Sequence, residues 1–242
     1  MAHCNVFRHR FLPSFKALCM LALLCGLPAW GLENYRAVYE VEIRGIRAGE
    51  MTLDSITTAK TYRLDARTEP SRAAKMLGYG AIREHVHGRL QGGQILPERY
   101  EREMIGDEDY YLNYQYDAKG KQVQVQKGKS ALTLDYVDGK QALDILSLIT
   151  QALLDEEQGK MSNVYHLLSE DKLRTYQVRQ LKDEQWKEKN GKVLDIKVYE
   201  QTNGGRKTLV YLAQNPLRLA KLQQLRDNEP RFSLKLLDHQ IR

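Results

Sequence analysis

The segment "YRAVYEVEIRGIRAGEMTLD", residues 35–54, constrains this chain most: it alternates apolar and polar side chains, turns, and alternates again. Tyr35, Ala37, Tyr39, Val41 and Ile43 fall on one face of an extended strand, while Arg36, Glu40, Glu42 and Arg44 fall on the other, with Val38 the exception. A period of two is the mark of a strand with one buried face. "GIRAG" reads as the turn, and Met51 and Leu53 resume the apolar face. The same pattern predicts strands at 61–69, 80–90, 94–103, 109–117, 121–127 and 130–137. It returns at 174–186, 192–201, 206–213, 216–226 and 231–240. The segments between them, "QGGQ", "DAKGKQ", "QKGKS" and "QTNGGRK", are polar and glycine-bearing, as hairpin loops should be.

"DGKQALDILSLITQALLDEEQGK" is too long and too continuously apolar for a hairpin strand. It predicts a helix near 139–158, with Asp138 as N-cap and Gly159 just past the end. Apolar on most of its surface, such a helix must be buried nearly all round. A weaker helix is predicted from Pro70 to Leu77, stopped by Gly78. "PLRLAKLQQLRD" suits either state, and its neighbours favour strand. The fold class is therefore mostly β: a large antiparallel curved sheet, half-barrel or barrel of about a dozen strands with one long buried helix, since sheets of that size curl, close or split.

The first 31 residues stand apart. Arg8, Arg10 and Lys16 precede the apolar run Ala17–Leu27, which is followed by Pro28 and the small residues Ala29 and Gly31. The run is short for a bilayer span, which needs about 20 apolar residues. Together these features predict a cleavable signal peptide at 1–31, a single mostly-β domain at 32–242, and a periplasmic location. Leu24 before Cys25 does not suit lipid attachment, which favours a small residue there, so the chain is read as not lipidated. Cys4, Cys19 and Cys25 all fall in this leader, so the remainder has no thiol for a disulfide. The leader also removes three cations from a total of 37 basic and 31 acidic residues, leaving 34 against 31. With signs interspersed, that weak excess argues against a nucleic-acid partner.

All 14 tyrosines follow the leader, beside a single phenylalanine, Phe232, and a single tryptophan, Trp186. In "DYYLNYQYD", Tyr110, Leu112, Tyr114 and Tyr116 share a face. A buried tyrosine needs a partner for its hydroxyl. An inward set suits a partly wet cavity, although rim residues and ordinary cross-strand pairs have the same pattern. The candidate ligand-lining residues are Tyr35, Tyr39, Val41, Tyr110, Leu112, Tyr114 and Tyr116. His85 and His87 point the same way on a strand, but Arg83 and Arg89 accompany them and no third ligand is near in sequence, so no metal site is expected. Glu84 lies between Ile82 and Val86 on the apolar side, where a bulge, an arginine partner or an acid–base role would account for it. The acidic cluster Asp107–Asp109 reads as a solvated turn. Catalytic signatures are missing, Ser147 and Ser169 have no histidine at local spacing, and no cofactor is expected.

Five stretches together resemble a known family: "YEVEIRGIRAGEMTLD", "GRLQGGQILPERYE", "ALDILSLITQALL", "LVYLAQNPLRLAKLQQ" and "RFSLKLLD". The chain resembles, from about residue 35 to 238, an exported proteobacterial family known as a domain of unknown function. That family often has tryptophan where this chain has Tyr211. The resemblance implies a mostly-β periplasmic domain akin to half-barrel carriers of lipoproteins or lipids, and it brings no catalytic residues.

The leading expectation is a non-enzymatic envelope protein whose curved sheet binds an apolar or amphipathic ligand such as a lipid or lipoprotein acyl chain. Two alternatives stay open. One is a filled-core barrel that docks to envelope proteins or cell wall; the other is a hydrolase or lyase whose site assembles in space.

Overall fold

Side-chain alternation dictates the architecture, because each strand has one face to hide and a neighbouring strand shares the task. The computed structural model describes residues 32–105, 107–118, 121–135, 141–188 and 191–242. The expected leader, Asp138 and the side chains of Asp107–Asp109 lie outside the described residues. Eight strands come first: β1 (Tyr35–Ile43), β2 (Ile46–Thr57), β3 (Thr61–Pro70), β4 (Ile82–Gln91), β5 (Gln94–Met104), β6 (Asp107–Tyr116), β7 (Gln122–Lys127) and β8 (Ser130–Asp135). A short helix α1 (Arg72–Met76) follows β3. After β8 come β9 (Ala142–Leu143) and helix α2 (Ile145–Glu157). The chain then forms β10 (Val164–Ser169), β11 (Lys172–Gln180), β12 (Glu184–Lys187), β13 (Val193–Asn203), β14 (Arg206–Ala213), β15 (Arg218–Arg226) and β16 (Glu229–Ile241).

All sixteen strands join one curved, unclosed sheet in the order β8-β7-β6-β5-β4-β3-β2-β1-β16-β15-β14-β13-β11-β10-β9, with β12 also paired to β13. The first and last strands thus lie side by side in the middle, and two arms of hairpins spread from them to free edges at β8 and β9. Among the described residues only the β9–β10 pair is parallel. Register shifts at Val38/Tyr39, Val41/Glu42, His87/Gly88 and Tyr211/Leu212 bend the strands, as bulges do. Val38, the exception in the alternation of β1, sits at one of these shifts. Gly88 allows another close approach: a Cβ there would stand 2.3 Å from Leu96 O and 2.8 Å from Tyr62 Cε1.

Several expectations need correction. Among the described residues there are sixteen strands, not about a dozen. The expected strand 174–186 is two, β11 and β12, and β10 was not expected at all. The long helix is not present among the described residues: α2 has thirteen residues and is capped by Asp144, whose carboxylate accepts from Ser147 N at 2.9 Å. Ala142 and Leu143, counted into the helix by their apolarity, are buried instead by parallel pairing with His166 and Leu167. Gly159, at φ +64°, does stand just past the helix end. Pro70 ends β3, and Ser71 caps α1 by accepting from Ala74 N. The first turn is shorter than "GIRAG": Arg44 and Gly45 make it, and β2 begins at Ile46.

The concave face holds the main core, with α2 lying across it. A smaller core lies on the opposite face, where β12 folds back along β13 and Trp186 packs on Tyr211 at 5.2 Å between centroids.

Candidate functional site

Cross-strand register places one charged pair on an otherwise apolar row of the concave face. Ala37, Leu53, Ala66, Glu84, Arg102 and Leu112 are successive partners across β1, β2, β3, β4, β5 and β6. Glu84 therefore points inward with Arg102 directly opposite. Tyr100 Oη donates to Glu84 at 2.5 Å, and Arg102 donates to Tyr110 Oη while its guanidinium lies 4.8 Å from the Tyr110 ring centroid. Burial disfavours the Arg102 charge, but the neighbouring Tyr100 and Glu84 outweigh it and its pKa is raised. Burial and the Glu84 carboxylate hold the Tyr100 hydroxyl far above its ordinary range, so it remains a donor at any physiological pH.

This pair lies on the wall of a cavity of about 690 Å³. The cavity opens at the end of the sheet where the β1–β2 hairpin, α1 and the β5–β6 turn converge. Its apolar wall comes from Val41, Met51, Ile82, Met104, Phe232 and Leu234, with Ile145 of α2 closing the far side. The volume is that of an ordinary small-ligand site, roughly 300–1,000 Å³. A second hollow of about 440 Å³ on the convex face is lined by charges that pair with one another. There Asp65 bonds His85 at 2.8 Å and Arg83 meets Glu103 at 3.5 Å.

Of the expected lining residues, Val41 and Tyr110 face the cavity. The other five are packed into the core around it. Tyr35 stacks on His239, Tyr114 stacks on Tyr100, and Tyr39 Oη donates to Leu219 O at 3.3 Å. Leu112 is buried among them, and Tyr116 Oη donates to Asp144. Tyrosine hydroxyls here chiefly satisfy the polar groups of α2. Tyr62 bonds Ser147 at 2.7 Å, Tyr165 donates to Asp155 at 2.5 Å, and Tyr199 donates to Glu156 at 2.5 Å. Gln151 completes the set by accepting from Ile95 N at 2.7 Å.

Arg102 was not singled out from the sequence, although the alternation Tyr100, Arg102, Met104 carries the signal. Among the described residues, no three His, Cys, Asp or Glu side chains converge as a metal site. Ser147 Oγ donates to Asp144 at 2.6 Å, and no histidine is among its described partners. No helix among the described residues is long and apolar enough to cross a membrane, which says nothing of strands.

No curated protein matches the chain. The family model described as "Protein of unknown function (DUF3108)" matches residues 35–225, which run from the first residue of β1 nearly to the end of β15. β16, which supplies Phe232 and Leu234 to the cavity wall, lies beyond the match. With most of its length covered by that model, the chain belongs to the DUF3108 family.

Proposed function

We propose that the protein is a non-enzymatic binding protein of the cell envelope that holds an apolar or amphipathic ligand, of the lipid or acyl-chain class, in the cavity beside Arg102. The observation that carries this reading is the cavity itself: open at one end, largely apolar, and bearing one charged pair on its wall. Each methylene buried there contributes about 0.8 kcal/mol. The Glu84–Arg102 pair and Tyr110 offer polar contacts to a headgroup while the chain lies against Met51, Phe232 and Leu234. Export to the periplasm, read from the leader, would place the protein among such ligands.

The test is titration of a fluorescent fatty acid into the purified protein, with Leu234→Trp as the comparison. Leu234 lines the cavity and is partnered with Val41 across β1 and β16. Saturable binding that the folded variant weakens at least tenfold supports the reading. Equal binding by both proteins, or none by either, contradicts it.

A further inference from the structure

The mouth of the cavity carries a surface of its own. Among the described residues, the three most exposed large apolar side chains lie there: Met76 is 89% exposed, Leu77 77% and Ile46 72%, with Tyr79 at 53%. Ile43 and Ile105 add to the same rim, while Ile56, Leu132, Val193, Leu237 and Ile241 are exposed elsewhere. Backbone hydrogen bonds hold these segments together. Ser71 N donates to Ala48 O at 2.7 Å, joining the start of α1 to β2, and Ile105 N donates to Ala81 O at 2.8 Å, joining the β5–β6 turn to the segment after α1. Helix α1 buries none of its residues. A contiguous apolar patch of this kind on a folded surface marks an interaction site.

Charge indicates what covers it. Arg44 in the β1–β2 turn and Arg72 and Lys75 on α1 are exposed on this lip, and no carboxylate among the described residues pairs with them. Arg47 stands beside them, held by Glu40 and Glu50. Cations set around exposed Met, Leu, Ile and Tyr side chains are the arrangement of a segment that lies in a membrane interface, with its apolar groups among the acyl chains and its cations at anionic headgroups.

We propose that the lip formed by the β1–β2 turn and α1 docks on a bilayer surface containing anionic phospholipid, which brings the mouth of the cavity against the membrane. The inference stands on the surface and does not require the cavity to be filled.

The experiment is co-sedimentation of the purified protein with phosphatidylcholine vesicles, with and without phosphatidylglycerol. It compares wild type with Met76→Asp/Leu77→Asp and Arg72→Glu/Lys75→Glu, each checked by circular dichroism. Docking predicts several-fold more sedimentation with the anionic vesicles, weakened by salt and lost in the Met76/Leu77 variant. The Arg72/Lys75 variant should lose the preference for phosphatidylglycerol. Three results overturn it: no sedimentation of folded wild type, sedimentation indifferent to both variants, or a concentration-dependent dimer that Met76→Asp/Leu77→Asp abolishes, which would assign the patch to a second copy. Because the fatty-acid titration needs no vesicle and is read against Leu234→Trp on the cavity wall, failure here leaves the cavity reading intact.

Discussion

Tyr62 Oη of β3 lies 2.7 Å from Ser147 Oγ of α2, and Ser147 Oγ in turn donates to Asp144 at 2.6 Å. This relay joins the concave face of one arm to the cap of the helix that crosses the cup. Residues 85 positions apart in the chain meet here, so the contact reports tertiary structure and not local propensity.

Removing the hydroxyl measures that join. Tyr62→Phe should lower stability by about 1 kcal/mol, the usual net value of a buried hydrogen bond. Ser147→Ala should cost more, because it frees the Asp144 oxygen as well. A double-mutant cycle read by denaturant melts should give a coupling of roughly 0.5–1.5 kcal/mol. Strict additivity would show that the pair is not formed in solution.

Asp144 should make stability depend on pH. Burial is the largest influence on it and raises its pKa to about 6, against the lowering effect of the Ser147 hydrogen bonds. A carboxyl that binds its proton more tightly when folded contributes stability below its unfolded pKa, and loses it as pH rises through the folded value. Stability should therefore fall from about pH 4 to pH 6, by up to roughly 3 kcal/mol at 1.36 kcal/mol per unit. Asp144→Asn keeps a capping side chain and should flatten that slope. Melts of both proteins across this range provide the check, and an unchanged slope would remove Asp144 as its source.

The Glu84–Arg102 pair should behave non-additively. Arg102→Leu alone leaves Glu84 inside with only Tyr100 as partner, a loss of about 1–3 kcal/mol. Adding Glu84→Gln should restore part of that stability, because a lone buried charge is worse than none. If the double variant is as unstable as the two losses summed, the charges are not coupled across the strands.

Gly88→Ala tests the curvature. Its Cβ would meet Leu96 O at 2.3 Å, and a backbone oxygen cannot swing aside as a side chain can. A loss of about 1–3 kcal/mol by thermal or denaturant melt is expected from such overpacking. A neutral substitution would mean that β4 and β5 separate more easily than the register indicates.

The sheet was legible in the sequence because a period of two survives in nearly every strand: Tyr35–Val41 and Tyr110–Tyr116 each name a buried face correctly. The start of α2 was not. Ala142 and Leu143 are as apolar as the helix that follows, and only the cap at Asp144 and the pairing with β10 separate them. β10 itself lacks clean alternation, since Leu167 and Leu168 are adjacent. The tyrosine faces were visible, but what each hydroxyl reaches is decided by a helix far along the chain. The cavity was obscured for the same reason. Which members of an apolar face stay uncovered depends on where α2 begins, and Ile145 is its first residue.

The most direct measurement is native mass spectrometry of the protein purified without detergent, followed by organic extraction. The account predicts an extra mass that extracts as an amphiphile and that Val41→Trp removes, since Val41 stands on the cavity wall. A clean apo mass that takes up no added fatty acid or phospholipid would contradict it.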